Sequence, residues 1–182
     1  MNRSSEIYKV AKRLTKRCGT RNPKEIAKQL GIVIRYSDEL GDLLGLYTNI
    51  LRNRVIILNS RLNEFQQIMV LAHELGHDIF HRKLAREGCL QEYQLVDMRS
   101  ETEYEANAFA AQLLIDDDQL MEYIRDYQYN VYQIAGEMNI NPNLLNIKLS
   151  EMNRMGYNFN VMDVNPKFLK NEKPIKSDWD IC

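Results

Sequence analysis

The stretch His73-Glu74-Leu75-Gly76-His77 decides how the rest of the chain is interpreted. Two histidines four residues apart lie on one face of a helix, one turn apart, so both imidazoles can reach a single metal ion. Zn²⁺ accepts neutral imidazole at about 2 Å, and three protein ligands plus one open position form a catalytic site. Glu74 lies about 100° around the helix from His73, where it can act on water without binding the metal. The pattern predicts a zinc-dependent hydrolytic site.

The distribution of histidine favours this interpretation over chance. The chain has three histidines, His73, His77 and His81, and all fall on one predicted helix. His81 lies about 12 Å along the helix axis from His73, so one ion cannot bind all three side chains. Two roles remain open for His81. It can orient a carboxylate or help to stabilise the oxyanion, or it can end the helix beside the C-terminal dipole.

Length and composition bound the class of protein. The 182 residues, 45% of them hydrophobic, suffice for one domain with a core and are too few for two. A formal net charge of −1 gives no global indication of a polyanionic partner, so we do not expect DNA binding, although local charged patches remain possible. Residues 1–10 lack the apolar region of a signal peptide, and no stretch reaches the length of a membrane span. We therefore expect a cytoplasmic protein without membrane contact.

The cysteines indicate no metal or disulfide framework. Cys18, Cys89 and Cys182 are odd in number and far apart, which fits reduced thiols. We predict no role for them.

The chain before the histidine helix predicts a helix pair and a small sheet. Apolar residues recur at helical spacing over residues 4–17, and again from Pro23 to a stop at Gly31. The period then changes to that of strands, in three short runs: 32–36, 46–50 and 55–59. We expect about three strands, antiparallel or mixed, beside the metal-binding helix. An edge strand there can pair with an extended peptide, or the strands can simply cover the helices.

The histidine helix itself has a clear start and a core-facing stripe. Asn63 and Gln66 resemble a capping box, and the helix should run to about Arg82. Gly76 is unfavourable in a helix interior by about 1 kcal/mol relative to alanine, which indicates that another element packs closely against it. Apolar residues form one stripe at 3.6-residue spacing: Phe65, Ile68, Met69, Ala72, Leu75, Gly76 and Ile79.

The third metal ligand must come from another element, and the helix that begins near Ser100 offers one. Glu103 lies on the face of its buried stripe, whereas Glu101 and Glu105 lie about 200° away. The spacing predicts Glu103 as a ligand and Asn107, one turn later, as an acceptor for the second N–H of a ligand histidine. Two other roles remain open for Glu103: a favourable charge in the first helical turn, or a capping box with Ser100.

The C-terminal part is harder to interpret. Residues 83–99 are charged and aperiodic, which predicts a surface loop or short helix that can overhang the cleft. The triplet Asp116-Asp117-Asp118 lacks the spacing and the glycine of a calcium loop and indicates helix capping. We predict one domain over residues 1–157, followed by a tail over 158–182 that is partly ordered or disordered.

Within that domain, residues 130–155 resemble a helix-turn-helix. Its second helix has Lys148 and Arg154 as its basic residues, and Glu151 opposes them. Two basic residues opposed by an acidic one are few for DNA binding, so the pattern favours a packing or partner-binding role for this helix pair.

Taken together, the two predicted metal helices are similar to a known family. Two segments, Leu71-Ala72-His73-Glu74-Leu75-Gly76-His77 with Phe80-His81, and Glu103-x-x-x-Asn107-x-Phe109-Ala110-Ala111-x-Leu113-Leu114, resemble the ImmA/IrrE metallopeptidases. The resemblance extends over roughly residues 5–155. It implies a zincin-like α+β fold and a Zn²⁺ cofactor, with His73, His77 and Glu103 as ligands and Glu74 as the catalytic residue.

The resemblance also implies a substrate. Members of this family are typically encoded beside a helix-turn-helix repressor, on mobile elements or in stress-response loci, and cleave it to release transcription. Two other functions remain open. One is a metal-containing regulator or partner-binding protein that acts through the C-terminal helix pair, although a structural zinc usually has four protein ligands and no fourth is evident. The other is a peptidase of broad specificity.

Overall fold

The computed structural model describes residues 2–51, 53–86 and 101–160. Helices and one small sheet occupy these ranges, which confirms the predicted α+β class. The elements in chain order are α1 (Arg3–Cys18), α2 (Pro23–Gln29), β1 (Val33–Ser37), β2 (Gly45–Ile50), β3 (Asn53–Asn59), α3 (Glu64–Phe80), α4 (Arg82–Arg86), α5 (Glu101–Leu114), α6 (Asp117–Arg125), α7 (Val131–Glu137) and α8 (Pro142–Arg154). None of the helices in the described ranges has the length and apolar content that a membrane span requires.

Within the described residues, the sheet has three strands in the order β1-β3-β2. The predicted hairpin is confirmed, because β2 runs antiparallel to β3 with Tyr47 opposite Ile56. β1 runs parallel to β3 with Val33 opposite Val55, so the sheet is mixed. β2 and β1 are therefore its edges, and β2 lies against α3.

The predicted ends of the N-terminal helices are confirmed by their caps. The Asn2 side chain accepts from the backbone N–H of Ser4 at the start of α1, and Gly19 ends it in the left-handed conformation at φ 67°. α2 begins at Pro23, whose missing N–H is harmless in a first turn. The buried face of α1 packs against α5.

α3 lies at the centre of the fold and begins with the predicted capping box, in which Asn63 and Gln66 each accept from the other's backbone N–H. The prediction of a single buried stripe is incomplete, because every residue over 69–78 is buried. The helix ends at Phe80 rather than near Arg82, since His81 takes the C-cap position.

Two glycines allow the neighbours of α3 to approach closely. A methyl group at Gly76 would lie 2.8 Å from the Ala106 Cα of α5, so the predicted close contact is confirmed. At the start of β2, a methyl group at Gly45 would lie 2.7 Å from Cγ1 of Val70. Small residues therefore set the distances of both α5 and the sheet from α3.

The predicted helices of the C-terminal part are confirmed as α6, α7 and α8. Asp116 caps α6 by accepting from the backbone N–H groups of Asp118 and Gln119, as expected. The predicted loop or short helix over 83–99 includes α4, and its remainder lies outside the described residues. Residues 161–182 of the predicted tail lie outside as well, as do Cys89 and Cys182.

Candidate metal centre

The centre forms where α3 meets the first turn of α5. His73 and His77 lie one turn apart on α3, with their Nε2 atoms 3.0 Å from each other. Glu103 reaches both: its Oε2 lies 3.1 Å from His73 Nε2 and its Oε1 lies 3.3 Å from His77 Nε2. Taking one ligand atom from each of the three residues, all three atoms lie within 4.8 Å of one another.

This donor set fits a divalent cation such as zinc. Two imidazole nitrogens and one carboxylate are the ligands that zinc takes in catalytic sites. Glu103 Oε2 is buried and has no hydrogen-bond partner among the described residues, although it lies against His73. Lone pairs so close repel one another unless a proton or a cation lies between them, and a cation satisfies all three residues at once.

Glu74 lies beside this group, on the side of α3 that faces the sheet. It is 1% exposed, and the backbone N–H of Tyr47 in β2 interacts with its carboxylate. Burial raises the pKa of Glu74 to about 7, and the charge of Glu103 adds to that rise. Its Oε1 atom has no hydrogen-bond partner within the described ranges. A carboxylate with a pKa near neutrality and a free oxygen is suited to exchanging protons with water.

The protonation states of the three proposed ligands follow from burial and mutual contact. Burial lowers the pKa of His77 to about 4, so this imidazole is neutral at neutral pH. Burial alone would raise the pKa of Glu103, but its close contacts with the imidazoles of His73 and His77 outweigh that effect and hold this pKa far below its usual range. Burial also lowers the pKa of His73, yet its contact with the Glu103 carboxylate outweighs that effect and raises it. A bound cation would displace the proton that His73 shares with Glu103.

Each histidine has an outer partner that fixes its tautomer. His73 Nδ1 donates to Asn107 Oδ1 at 2.8 Å, and His77 Nδ1 lies 3.0 Å from His81 Nδ1. His81 Nε2 in turn lies 3.0 Å from Glu105 Oε2. Because the carboxylate accepts, His81 donates through Nε2 and accepts from His77 through Nδ1. With a cation in place of the proton that His73 shares with Glu103, both inner histidines present a lone pair on Nε2, the atom that faces the proposed ion.

The chain of partners continues to the N-terminal helix. Arg3 of α1 donates to both oxygens of Glu105 through Nε and Nη2. The pKa of Glu105 is lowered, because the hydrogen bonds from Arg3 and His81 outweigh the effect of burial. Glu105 is therefore a carboxylate that links α1, the end of α3 and α5.

The structure places the predicted site residues as follows. His73, His77 and Glu103 lie together, Glu74 and Asn107 adjoin them, and His81 contacts His77 from the far side. Glu105 differs from the sequence prediction, which placed it about 200° from the core-facing side and gave it no role. It is 6% exposed, because residues 105–113 of α5 are all buried and a one-stripe pattern does not describe that helix.

Arg3 was not predicted either, since its partner lies 102 residues away in the sequence. The alternative capping role for Glu103 involves Ser100, which lies outside the described residues. The backbone N–H of His81 donates to the His77 carbonyl, so this residue ends the helix as well as contacting His77.

Comparison with known proteins agrees with this geometry. The family model described as IrrE N-terminal-like domain, a peptidase family, matches residues 27–150, more than half of the chain. An uncharacterized immunity region protein 2 of Bacillus phage phi105 is 31% identical over 147 residues, covering 80% of this chain and 91% of that protein. Metallopeptidase ImmA of Bacillus subtilis strain 168 is 29% identical over 139 residues, covering 74% of this chain and 78% of that protein. The chain therefore belongs to the ImmA/IrrE family of metallopeptidases.

Proposed function

We propose that the protein is a zinc-dependent endopeptidase of the cytoplasm that cleaves a specific helix-turn-helix repressor and thereby relieves transcriptional repression. The observation that supports it most is the convergence of His73, His77 and Glu103 within 4.8 Å, with the buried carboxylate of Glu74 beside them. Three protein ligands and a neighbouring base are what a catalytic zinc site requires.

In this proposal His73 and His77 bind zinc through Nε2 and Glu103 binds it through its carboxylate. When bound, zinc supplies Lewis-acid polarisation of the scissile carbonyl and activates water at neutral pH. Glu74 takes the proton from the attacking water and returns it to the leaving amine. Asn107 and His81 hold the two imidazoles in the tautomer and orientation that present Nε2.

The substrate proposal is supported by the relatives and by the shape of the sheet. The phage relative is named for an immunity region, and the family resemblance implies a helix-turn-helix repressor as substrate. β2 is an edge strand that lies against α3 beside Glu74. An extended segment of substrate can pair with such an edge and pass close to the metal.

The decisive experiment first identifies the helix-turn-helix repressor gene expected beside this gene and then co-expresses the two proteins. The wild type should produce defined fragments of the repressor, and Glu74→Gln should bind one zinc per chain and leave the repressor intact. Glu64→Gln is the matched control, because it makes the same change at an exposed position of α3 and should cleave normally. Unimpaired cleavage by Glu74→Gln would remove Glu74 from its role.

A second assay separates this proposal from a peptidase of broad specificity. Digestion of casein at a rate similar to that of the repressor would favour the general peptidase. A repressor left whole by a zinc-loaded wild type would exclude that substrate, whichever residues bind the metal.

The alternative of a regulator that acts through the C-terminal helix pair is less well supported. Lys148 of α8 is 0% exposed and pairs with Asp117, so it cannot contact phosphate. Arg154, the other basic residue of this helix, pairs with Glu151 at 3.1 Å. Residues 142–153 include no exposed position, which favours a packing role for α8.

A further inference from the structure

Charge is distributed unevenly along the chain. Residues 1–30 contain nine of the 24 Lys and Arg residues but only two of the 25 Asp and Glu residues, a net charge of +7. Since the whole chain has a net charge of −1, the remaining residues carry −8. The near-neutral net charge of the chain is therefore the sum of a strongly positive N-terminal region and a negative remainder.

α1 places four of these cations on one outward face. Lys9, Arg13, Lys16 and Arg17 are all exposed. At the helical repeat they fall within an arc of about 100° and extend over about 12 Å of the axis. The opposite face of α1 is apolar and packs in the core, so this outward face cannot turn inward.

Ion pairing distinguishes these four cations from others nearby. Lys12, on the flank of the same helix, pairs with Asp117 at 2.9 Å and so contributes to the fold. No carboxylate within residues 2–51, 53–86 and 101–160 forms an ion pair with any of the four outward cations. A polyanion can therefore bind them without breaking an ion pair of the described structure.

The chemistry of the face favours a nucleic acid over an acidic protein. Protein interfaces centre on buried aromatic or apolar anchors, whereas every exposed position within α1 carries a charged side chain. One of these, Glu6, is a carboxylate on the same face, and it pairs with Arg3 at 2.9 Å. Duplex DNA carries about one negative charge per 3.4 Å of axis on each strand, so a 12 Å stretch of one strand holds about three or four phosphates, a number that matches the four cations. Phosphate contacts of this kind need no apolar anchor.

We propose that the outward face of α1, formed by Lys9, Arg13, Lys16 and Arg17, binds the phosphate backbone of duplex DNA without reading its sequence. Binding of this class has a Kd of about 10⁻⁴ to 10⁻⁶ M at physiological salt. It would hold the peptidase close to any substrate that is itself bound to DNA. The binding does not depend on the cleavage reaction or on the identity of the substrate.

Fluorescence anisotropy of a labelled DNA duplex of arbitrary sequence tests this proposal with the full chain. Four phosphate contacts predict a slope of about −3.6 for the logarithm of affinity against that of salt concentration, or about a hundredfold loss between 50 and 200 mM. The variant in which all four residues are replaced by glutamine should bind at least tenfold more weakly at 50 mM salt. The pair Lys9→Gln/Arg13→Gln should lower the slope by about half, since two contacts remain. Glutamine has a helix propensity similar to that of lysine and arginine, so α1 should persist.

A matched control removes the same number of positive charges from other parts of the protein surface. Arg35, Arg61, Lys83 and Arg125 are exposed and lie on different elements or loops, and their replacement by glutamine should leave DNA binding within about twofold of wild type. An equal loss in this control would refute the proposal, because net charge alone would then explain binding. Absence of DNA binding at 50 mM salt, or binding to polyglutamate in its place, would also refute it, the latter in favour of an acidic protein partner.

The outcome is separable from that of the proposed peptidase activity. Glu74→Gln should bind DNA as the wild type does, even if the repressor is not the substrate. The variant with four glutamines should still cleave free repressor at the wild-type rate, because none of the four residues contacts the metal centre.

Discussion

Replacement of Gly76 by alanine should destabilise the protein, although the same change stabilises an ordinary helix. A methyl group at this position would lie 2.8 Å from Ala106 Cα and 3.1 Å from the Ala106 carbonyl oxygen. Both atoms belong to the backbone of α5, so no side-chain rotation can relieve the contact. α5 must move away from α3.

The size of the effect follows from two opposing terms. Alanine gains about 1 kcal/mol of helix propensity over glycine, whereas overpacking of a close contact costs about 1 to 3 kcal/mol. We expect a net destabilisation of about 1 kcal/mol, which corresponds to a Tm lower by about 2 to 4 °C for a chain of this length.

The same change should weaken metal binding. To restore an ordinary contact of 3.4 Å from 2.8 Å, α5 must recede by about 0.6 Å. Glu103 lies three residues before Ala106 on this helix and would move with it. Metal ligands must be held within about 0.5 Å of their working positions, so we expect about a tenfold loss of zinc affinity.

Thermal unfolding with and without zinc, together with a zinc competition titration, measures both effects. Gly136→Ala is the matched control, because Gly136 lies within α7, is exposed and has nothing within 4 Å of an added methyl group. It should raise the free energy of unfolding by up to about 1 kcal/mol. If Gly76→Ala is as stable as Gly136→Ala and binds zinc as tightly as the wild type, the close contact between α3 and α5 does not set the ligand geometry.

Two further predictions concern carboxylates that pair with cations of other elements of the fold. Glu105→Gln removes the charge that holds His81 and Arg3, so it should weaken zinc binding about 10- to 100-fold. The matched control, Glu101→Gln, changes an exposed residue of the same helix and should leave zinc affinity unchanged. If both variants bind zinc equally well in a competition titration, the outer chain of partners does not support His77. Asp117→Asn should destabilise the protein by about 3 kcal/mol at neutral pH, because the buried Lys148 keeps its hydrogen bond to Gln112 but loses the opposite charge. Although burial opposes it, the charge of Lys148 lowers the pKa of Asp117 from 3.8 to about 2, so its contribution is complete above pH 3.8 and is lost as the pH falls through 2. Urea denaturation between pH 7 and pH 2 should therefore show a shallower acid decline in this variant, and parallel profiles would contradict the assignment.

The parts of the fold that could be predicted from the sequence are those encoded over a few residues. The capping box of Asn63 and Gln66 and the left-handed Gly19 depend on neighbours within one turn, and both lie where the sequence placed them. The placement of Asn107 beside His73 follows from one helical turn measured from Glu103, once both lie on the face toward α3. The parallel pairing of β1 with β3 could not be predicted, because local patterns name a strand but not its partner.

Long-range pairs of charges were also beyond prediction. Arg54 donates to Asp78 from the start of β3, and Arg82 contacts the same carboxylate from α4. Asp78 is 0% exposed, yet as a charged residue near the end of a helix it has the pattern of a surface position. Arg3 with Glu105 is a second such case, because either residue alone fits a solvated helix face. Only the packing of distant elements shows that these charges are paired.

α3 shows why hydrophobicity alone does not predict which residues are buried around the candidate metal site. A helix buried on all sides normally has an apolar circumference, whereas α3 places His73, Glu74, His77 and Asp78 in its buried part. The hydrophobic stripe therefore predicts burial for one side of α3 only. The same pattern predicts that the polar side is exposed to solvent. The polar side is buried because its groups pair with residues of other elements: Asn107 and Glu103 from α5, and Tyr47 from β2. The residues proposed to bind the metal and exchange protons are thus the same ones that make the helix resemble a surface helix.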